Sequence, residues 1–236
     1  MSISEDFTAF KGKIIAIDGP AGSGKSTTAK LLAQRLGFTY LDTGAMYRAV
    51  ALAALKQGIA FSDSEKVAKI ASQVHIEFAA DKTRGQLTLL NGEDVSEAIR
   101  SPEATAGSSA VAVHPGVRRE MVKRQMELGG KGNIVAEGRD TTSVVFPHAN
   151  LKIYLVADLK TRAQRRYLEA IARGNQTTVE EQERLLEARD KNDTGRAASP
   201  LTQVPDAILV DTSGLTIEQQ VDKIIALARQ TFSARP

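Results

Sequence analysis

The chain has 236 residues, 42% hydrophobic and 25% charged, with a net charge of +3 from 31 basic and 28 acidic residues. That is the composition of one large α/β domain or two small ones, not of a disordered tail. With no Cys, no Trp and three scattered histidines, it excludes disulfides, thiol nucleophiles and cysteine-held metals, and makes a His-rich metal site or a base-stacking platform improbable.

In chain order, Lys13 to Asp18 is a short β-branched apolar run that predicts a buried strand, and Gly19 to Gly24 is a glycine-rich turn. Ser26 to Leu36 has helical spacing and stops at Gly37. Asp42 or Thr43 can cap a helix through Ala45 to Lys56 that ends at Gly58. Ser62 with Glu65 makes a capping box for a helix over Asp63 to Gln73. From Val74 to Val95 the period changes to two, and Asn91-Gly92 is a tight-turn signal, so a small inserted antiparallel sheet is expected. Ser101-Pro102 opens another helix, which His114-Pro115 separates from a helix over Val117 to Leu128. Asn133 to Ala136 and Leu151 to Val156 predict strands. Asp158 caps a helix to about Ala172, and Thr177 with Glu180 boxes another over Val179 to Thr194. A last strand, Ala207 to Val210, and a last helix, Thr216 to Phe232, complete the pattern. Short apolar strands alternating with longer helices predict an α/β, three-layer parallel sheet with helices on both faces.

No apolar run approaches the roughly 18 residues of a spanning helix. Residues 1–13 carry Glu5 and Asp6 and lack the apolar stretch of a signal peptide. With zero Cys, a cytoplasmic protein is expected. A charge of +3 on 236 residues is a weak field that favours a small anionic ligand in a local pocket, with neither nucleic acid nor membrane as partner.

Gly19-Pro20-Ala21-Gly22-Ser23-Gly24-Lys25-Ser26 fits G-x-x-x-x-G-K-[ST], followed by Thr27, and lies between a predicted strand and a predicted helix. Its glycines let backbone N–H groups converge on phosphate, and the following helix points its positive end at the same anion. Lys25, at an expected exposed helix start, would reach the β- and γ-phosphates, and Ser26 would ligate Mg²⁺. Thr43, Tyr47 and Arg48 share one side of a helix start. Arg139 and Asp140 leave a strand at its C-terminal end, where open parallel sheets bind ligands. Arg162, Arg165 and Arg166 form one basic helix face, with Asp158 four residues before Arg162. Arg189, Asp193 and Arg196 fall close together at i, i+4 and i+7, unless Gly195 ends the helix and leaves Arg196 in a loop. Moving a phosphoryl group needs several fixed cations, and arginine's planar fork suits phosphate.

The stretches IDGPAGSGKST (17–27), LDTGAMYRA (41–49), AEGRDTTSVVFPHA (136–149) and RDKNDTGRAASPL (189–201) together resemble the bacterial cytidylate kinase family of nucleoside-monophosphate kinases, from Ile14 to about Ala228. The resemblance implies ATP-dependent phosphorylation of CMP and dCMP, with Mg²⁺, by a monomer. It implies a core (13–42, 133–157 and 205–232), a monophosphate-binding part with the inserted sheet (43–132) and a lid (158–200). Thr43, Arg48, Arg139 and Arg196 would hold the acceptor phosphate beside Tyr47. Ser109, Arg118 and Asp140 would read cytosine, with Ser108 adjacent as an alternative, and Arg189 with Asp193 would take the ribose. Lys25, Arg139, Arg162, Arg166 and Arg196 are the expected catalytic cations. Thr43 stands where the family often has Ser, Glu137 where Asp is usual, and Thr141-Thr142-Ser143 where Met-Gly-Thr is more usual. A P-loop kinase for UMP, AMP or another metabolite is the rival enzyme reading. A nucleotide switch would need a base-specific loop of N-K-x-D type, which this sequence lacks.

Overall fold

The computed structural model describes residues 7–81, 83–130 and 132–233; Glu5 and Asp6, read above for a leader peptide, lie outside them. β1 (Ile14–Asp18), β2 (Thr39–Asp42), β6 (Ile134–Gly138), β7 (Leu151–Val156) and β8 (Ile208–Asp211) form one sheet in the order β2-β6-β1-β7-β8. β1 pairs in parallel with β6 and β7, and β7 with β8. Ile15, Ala16, Ile17 and every residue of β6 are buried, the near-continuous burial that suits a parallel sheet covered by helices. β3 (Ile76–Asp81), β4 (Gly85–Leu90) and β5 (Glu93–Asp94) form the separate antiparallel sheet in the order β3-β4-β5. Asn91 and Gly92 at its tight turn have φ of 53° and 83°, the backbone an Asn-Gly hairpin requires.

The helices are α1 (Lys25–Leu36), α2 (Thr43–Lys56), α3 (Ser64–Gln73), α4 (Pro102–Val111), α5 (Pro115–Gly129), α6 (Leu159–Ala172), α7 (Val179–Gly195) and α8 (Ile217–Ser233). The chain divides into two compact units. The first comprises the chain up to Leu41, Leu128–Gly195 and the chain from Ser199. Its core joins Ile15, Ile17, Leu32, Val135, Ile153 and Ile224 from the large sheet, α1 and α8. The second comprises Asp42–Glu127 with Arg196–Ala198. Its core gathers Met46, Val50, Ile70, Ile99, Val111 and Met121.

Several local expectations shift. β2 was not foreseen, nor was the π-helical turn Thr141–Val145. Asp63, not Ser62, caps α3, its carboxylate accepting from Lys66 N at 3.1 Å. Thr178, not Thr177, caps α7 by accepting from Glu181 N at 3.1 Å. Both caps lie one residue later because each helix starts one residue later than a capping box on the earlier hydroxyl allows. Glu137 and Gly138 lengthen β6 beyond Ala136. No helix among the described residues is long and apolar enough to cross a membrane.

Candidate active site

The first unit builds a phosphate cradle from the end of β1. Gly19, Gly22 and Gly24 have φ of 151°, 76° and 95°, a backbone that L side chains rarely adopt. A Cβ on Gly19 would lie 2.0 Å from the Leu155 carbonyl oxygen of the neighbouring β7, so that turn tolerates glycine alone. No side chain caps α1 and no acid stands in its first turn, which leaves the helix start suited to an external anion. Lys25 Nζ donates to the Pro20 carbonyl at 2.8 Å. Contrary to expectation, Lys25 is buried, 4% exposed, because its alkyl stem turns back into the loop rather than outward. Burial, reinforced by the Arg139 charge and opposed by Glu137, holds its ammonium well below its ordinary pKa.

Ser26 Oγ donates to Glu137 Oε1 at 2.6 Å, and Tyr40 OH donates to the same oxygen at 3.1 Å. The β1–β6 register, with Ile17 opposite Glu137, carries this carboxylate to the start of α1. A hydroxyl and a carboxylate are hard oxygen donors of the kind Mg²⁺ takes alongside phosphate and water. Among the described residues no group of three or more His, Cys, Asp or Glu could hold a metal by itself.

Arg139 Nε donates to Asp193 Oδ2 at 2.7 Å, and Arg189 Nε lies 3.9 Å from the same oxygen. Burial alone would lower the Arg139 pKa; Asp193, then Glu137 and Asp18, outweigh it and raise it. Asp140 and Asp193 are both buried. Gly195 closes α7, so Arg196 stands in the following loop. Arg162, Arg165 and Arg166 do not form one unneutralised face. Asp158 caps α6, accepting from Thr161 N at 2.8 Å. Arg162 is buried, pairs with Asp190 at 2.7 Å and donates to the Ala21 carbonyl at 3.1 Å. Arg165 donates to the Thr212 carbonyl at 2.7 Å, and Arg166 pairs with Glu169 at 2.7 Å on the surface. Sequence spacing missed Asp190 because it lies 28 residues from its partner.

In the second unit Asp42 does two jobs. Oδ1 caps α2 by accepting from Ala45 N at 2.8 Å, and Oδ2 accepts from Arg48 at 2.8 Å. Thr43 and Tyr47 are buried on α2, and the Arg118 guanidinium lies 5.7 Å from the Tyr47 ring centroid. Ser108 donates to the Thr105 carbonyl at 2.7 Å, while Ser109 on the next position of α4 is half-buried. Thr43, Tyr47, Arg48, Ser109, Arg118 and Arg196 thus belong to the second unit, and Lys25, Ser26, Arg139, Asp140, Arg189 and Asp193 to the first.

The family model for cytidylate kinase matches residues 15–230. A cytidylate kinase of Limosilactobacillus reuteri (strain DSM 20016) is 48% identical over 222 residues, 94% of this chain and 97% of that protein. One from Leuconostoc mesenteroides is 48% identical, and one from Bacillus cereus 45%, each over 93% of this chain and 97% of theirs. Among solved structures, an uncharacterized protein from Eubacterium ventriosum superposes with a TM-score of 0.54 at 12% identity, covering 93% of this chain and 99% of that one, a likeness of fold alone. Identity near one half over almost the full length joins the phosphate cradle and the arginine–carboxylate groups to one conclusion: the chain belongs to the cytidylate kinase family.

Proposed function

We propose that this chain transfers the γ-phosphoryl group of ATP to CMP and dCMP, giving the diphosphates. The observation that carries the reading is the cradle itself, an uncapped α1 start with Lys25 folded into the loop and Ser26 against Glu137. Backbone N–H groups of the loop from Gly19 to Thr27, Pro20 excepted, take the ATP phosphates, and Lys25 bridges the β- and γ-oxygens. Ser26, with Glu137 behind it, is the protein's contribution to a Mg²⁺ site, and the ion supplies neutralising charge on the phosphates when bound. Thr43, Arg48, Arg139 and Arg196 hold the acceptor phosphate. Ser109, Arg118 and Asp140 read cytosine, Ser109 being preferred to Ser108 because the Ser108 hydroxyl already donates to Thr105. Arg189 and Asp193 take the ribose. Arg162 and Arg166, on a lid segment over 158–200, neutralise the transferring group. No general base is needed, since a phosphate monoester with a second pKa of about 6 is already dianionic near neutral pH. The resemblance also supports a monomeric, cytoplasmic enzyme.

A coupled assay with ATP and Mg²⁺ against CMP, dCMP, UMP and AMP tests the reading. CMP and dCMP should be turned over with kcat/KM well above UMP and AMP. Equal or faster turnover of AMP or UMP would overturn it.

A further inference from the structure

Asp18 ends β1 fully buried, and none of the roles above uses it. Its two oxygens are taken by two consecutive residues. Oδ1 accepts from Thr141 N at 2.9 Å and from the Thr141 hydroxyl, and Oδ2 accepts from Thr142 N at 2.7 Å and Thr142 Oγ1 at 2.6 Å. Both threonines are fully buried. The Asp140 carbonyl in turn accepts from Val144 N at 2.9 Å, and the Thr141 carbonyl from Phe146 N at 2.8 Å, closing the π-helical turn. On the other side, Gly138 stands opposite Asp18 in the β1–β6 register. Arg139 and Asp140 are therefore two residues held between two fixed points that both refer to Asp18. A carboxylate offers only acceptors, so four converging donors define its orientation and, through it, the direction in which the two residues before Thr141 leave the strand. Asp18 also runs straight into Gly19 of the phosphate loop, so one side chain references the Arg139–Asp140 segment to the ATP cradle.

We infer that Asp18 is a positioning residue that aims Arg139 and Asp140 at the acceptor nucleotide, with the Thr141 and Thr142 hydroxyls as its grips. The inference rests on the reading of Arg139 and Asp140 as acceptor-binding residues. Asp18→Asn would present an amide donor to a ring of donors and can fail to fold, so the threonines carry the test. Thr141→Val with Thr142→Val keeps the shape and the backbone donors and removes both hydroxyls. The double variant should raise the KM for CMP about tenfold or more, the scale of a lost hydrogen bond to a charged group. The KM for ATP should stay within about twofold, since the cradle itself is untouched. Thr142→Ser, which restores a donor without the methyl group, should retain a near-normal KM for CMP where Thr142→Val does not. A CMP KM unchanged in the double variant, or ATP and CMP KM values rising by the same factor in step with a lower Tm, overturns the inference and leaves Asp18 a structural carboxylate. Asp140→Ala serves as the control on the underlying reading. An unchanged CMP:UMP ratio there sinks the cytosine role of Asp140, while the CMP against ATP comparison still scores the grip through Arg139.

Discussion

Lys25 is 4% exposed and its ammonium donates to the Pro20 carbonyl, with burial and Arg139 lowering its pKa. Removing such a charge relieves the fold of a desolvated cation, so activity and stability should separate. Lys25→Met should lose about 10³-fold or more in kcat without losing thermal stability; retention of a tenth of wild-type turnover would sink the phosphate role. The linkage sign is also fixed. A lysine whose folded pKa lies below the unfolded 10.5 destabilises the fold fully below the folded value, and the penalty is relieved as pH climbs from there towards 10.5. Urea midpoints should therefore rise with alkaline pH in the wild type relative to Lys25→Met. Asp193→Ala removes the partner 2.7 Å from Arg139, whose side chain is 17% exposed, and should cost about 1–3 kcal/mol in unfolding free energy. It should lower kcat/KM for CMP and UMP by similar factors, because both carry the same sugar; a change confined to CMP would contradict the ribose role. Lys25, Arg139 and Asp193 were legible because their motifs are contiguous or at helical spacing. Tyr40 and Asp190 were not, since their partners lie 97 and 28 residues away and only the fold brings them together. Asp18 left one usable trace, a charged residue closing an otherwise apolar run.

Among the elements, those that rest on local chemistry were legible and those that rest on pairing were not. β1, β7 and the Asn91-Gly92 hairpin carry their own signal in apolar runs and turn residues. β2 is four residues, Thr39–Asp42, with its first residue exposed, and sheet pairing rather than pattern makes it a strand. The caps of α3 and α7 moved by one position because Ser62 stands beside Asp63 and Thr177 beside Thr178, and either neighbour is chemically competent. The three arginines of α6 share a face by periodicity, yet Asp190 on α7 and the carbonyls of Ala21 and Thr212 divide them. Asp158 caps α6 as its place in the sequence predicts, and its pKa gives that helix an acid limit. Hydrogen bonds from the Thr161 hydroxyl and backbone N–H lower the Asp158 pKa from 3.8 to about 2. A depressed carboxylate contributes its stability above the unfolded pKa and loses it as pH falls through the folded one. The cap should hold above 3.8 and fail towards about 2. Asp158→Asn, which keeps an acceptor oxygen but does not titrate, should show a shallower fall of the urea midpoint over that window; identical slopes would remove Asp158 from the account.

At the scale of the whole molecule the alternation of strands and helices gave the class of the fold, but not the order of the sheet. β1 is flanked by β6 and β7, and no periodicity reports which strands meet across such separations. The two units hold separate apolar cores, so a cavity in one should be felt there first. Met46, fully buried in the second core, tests this. Met46→Ala should cost about 2–5 kcal/mol and raise amide hydrogen exchange in α2 and α4 before it does so in β1 and β6. Uniform loss of protection would mean that the chain opens as one cooperative body. The same sheet order sets a schedule for synthesis. β1 ends at Asp18 and its first neighbour in sequence begins at Ile134, so both of its edges stay bare while more than a hundred further residues are made. At about 5–20 residues per second the wait is roughly 6–24 s. The ribosome meanwhile delivers 42–127, the main segment of the second unit, without interruption. The nascent chain should thus acquire an ordered second core while the apolar strand that leads into its phosphate loop remains accessible to chaperones.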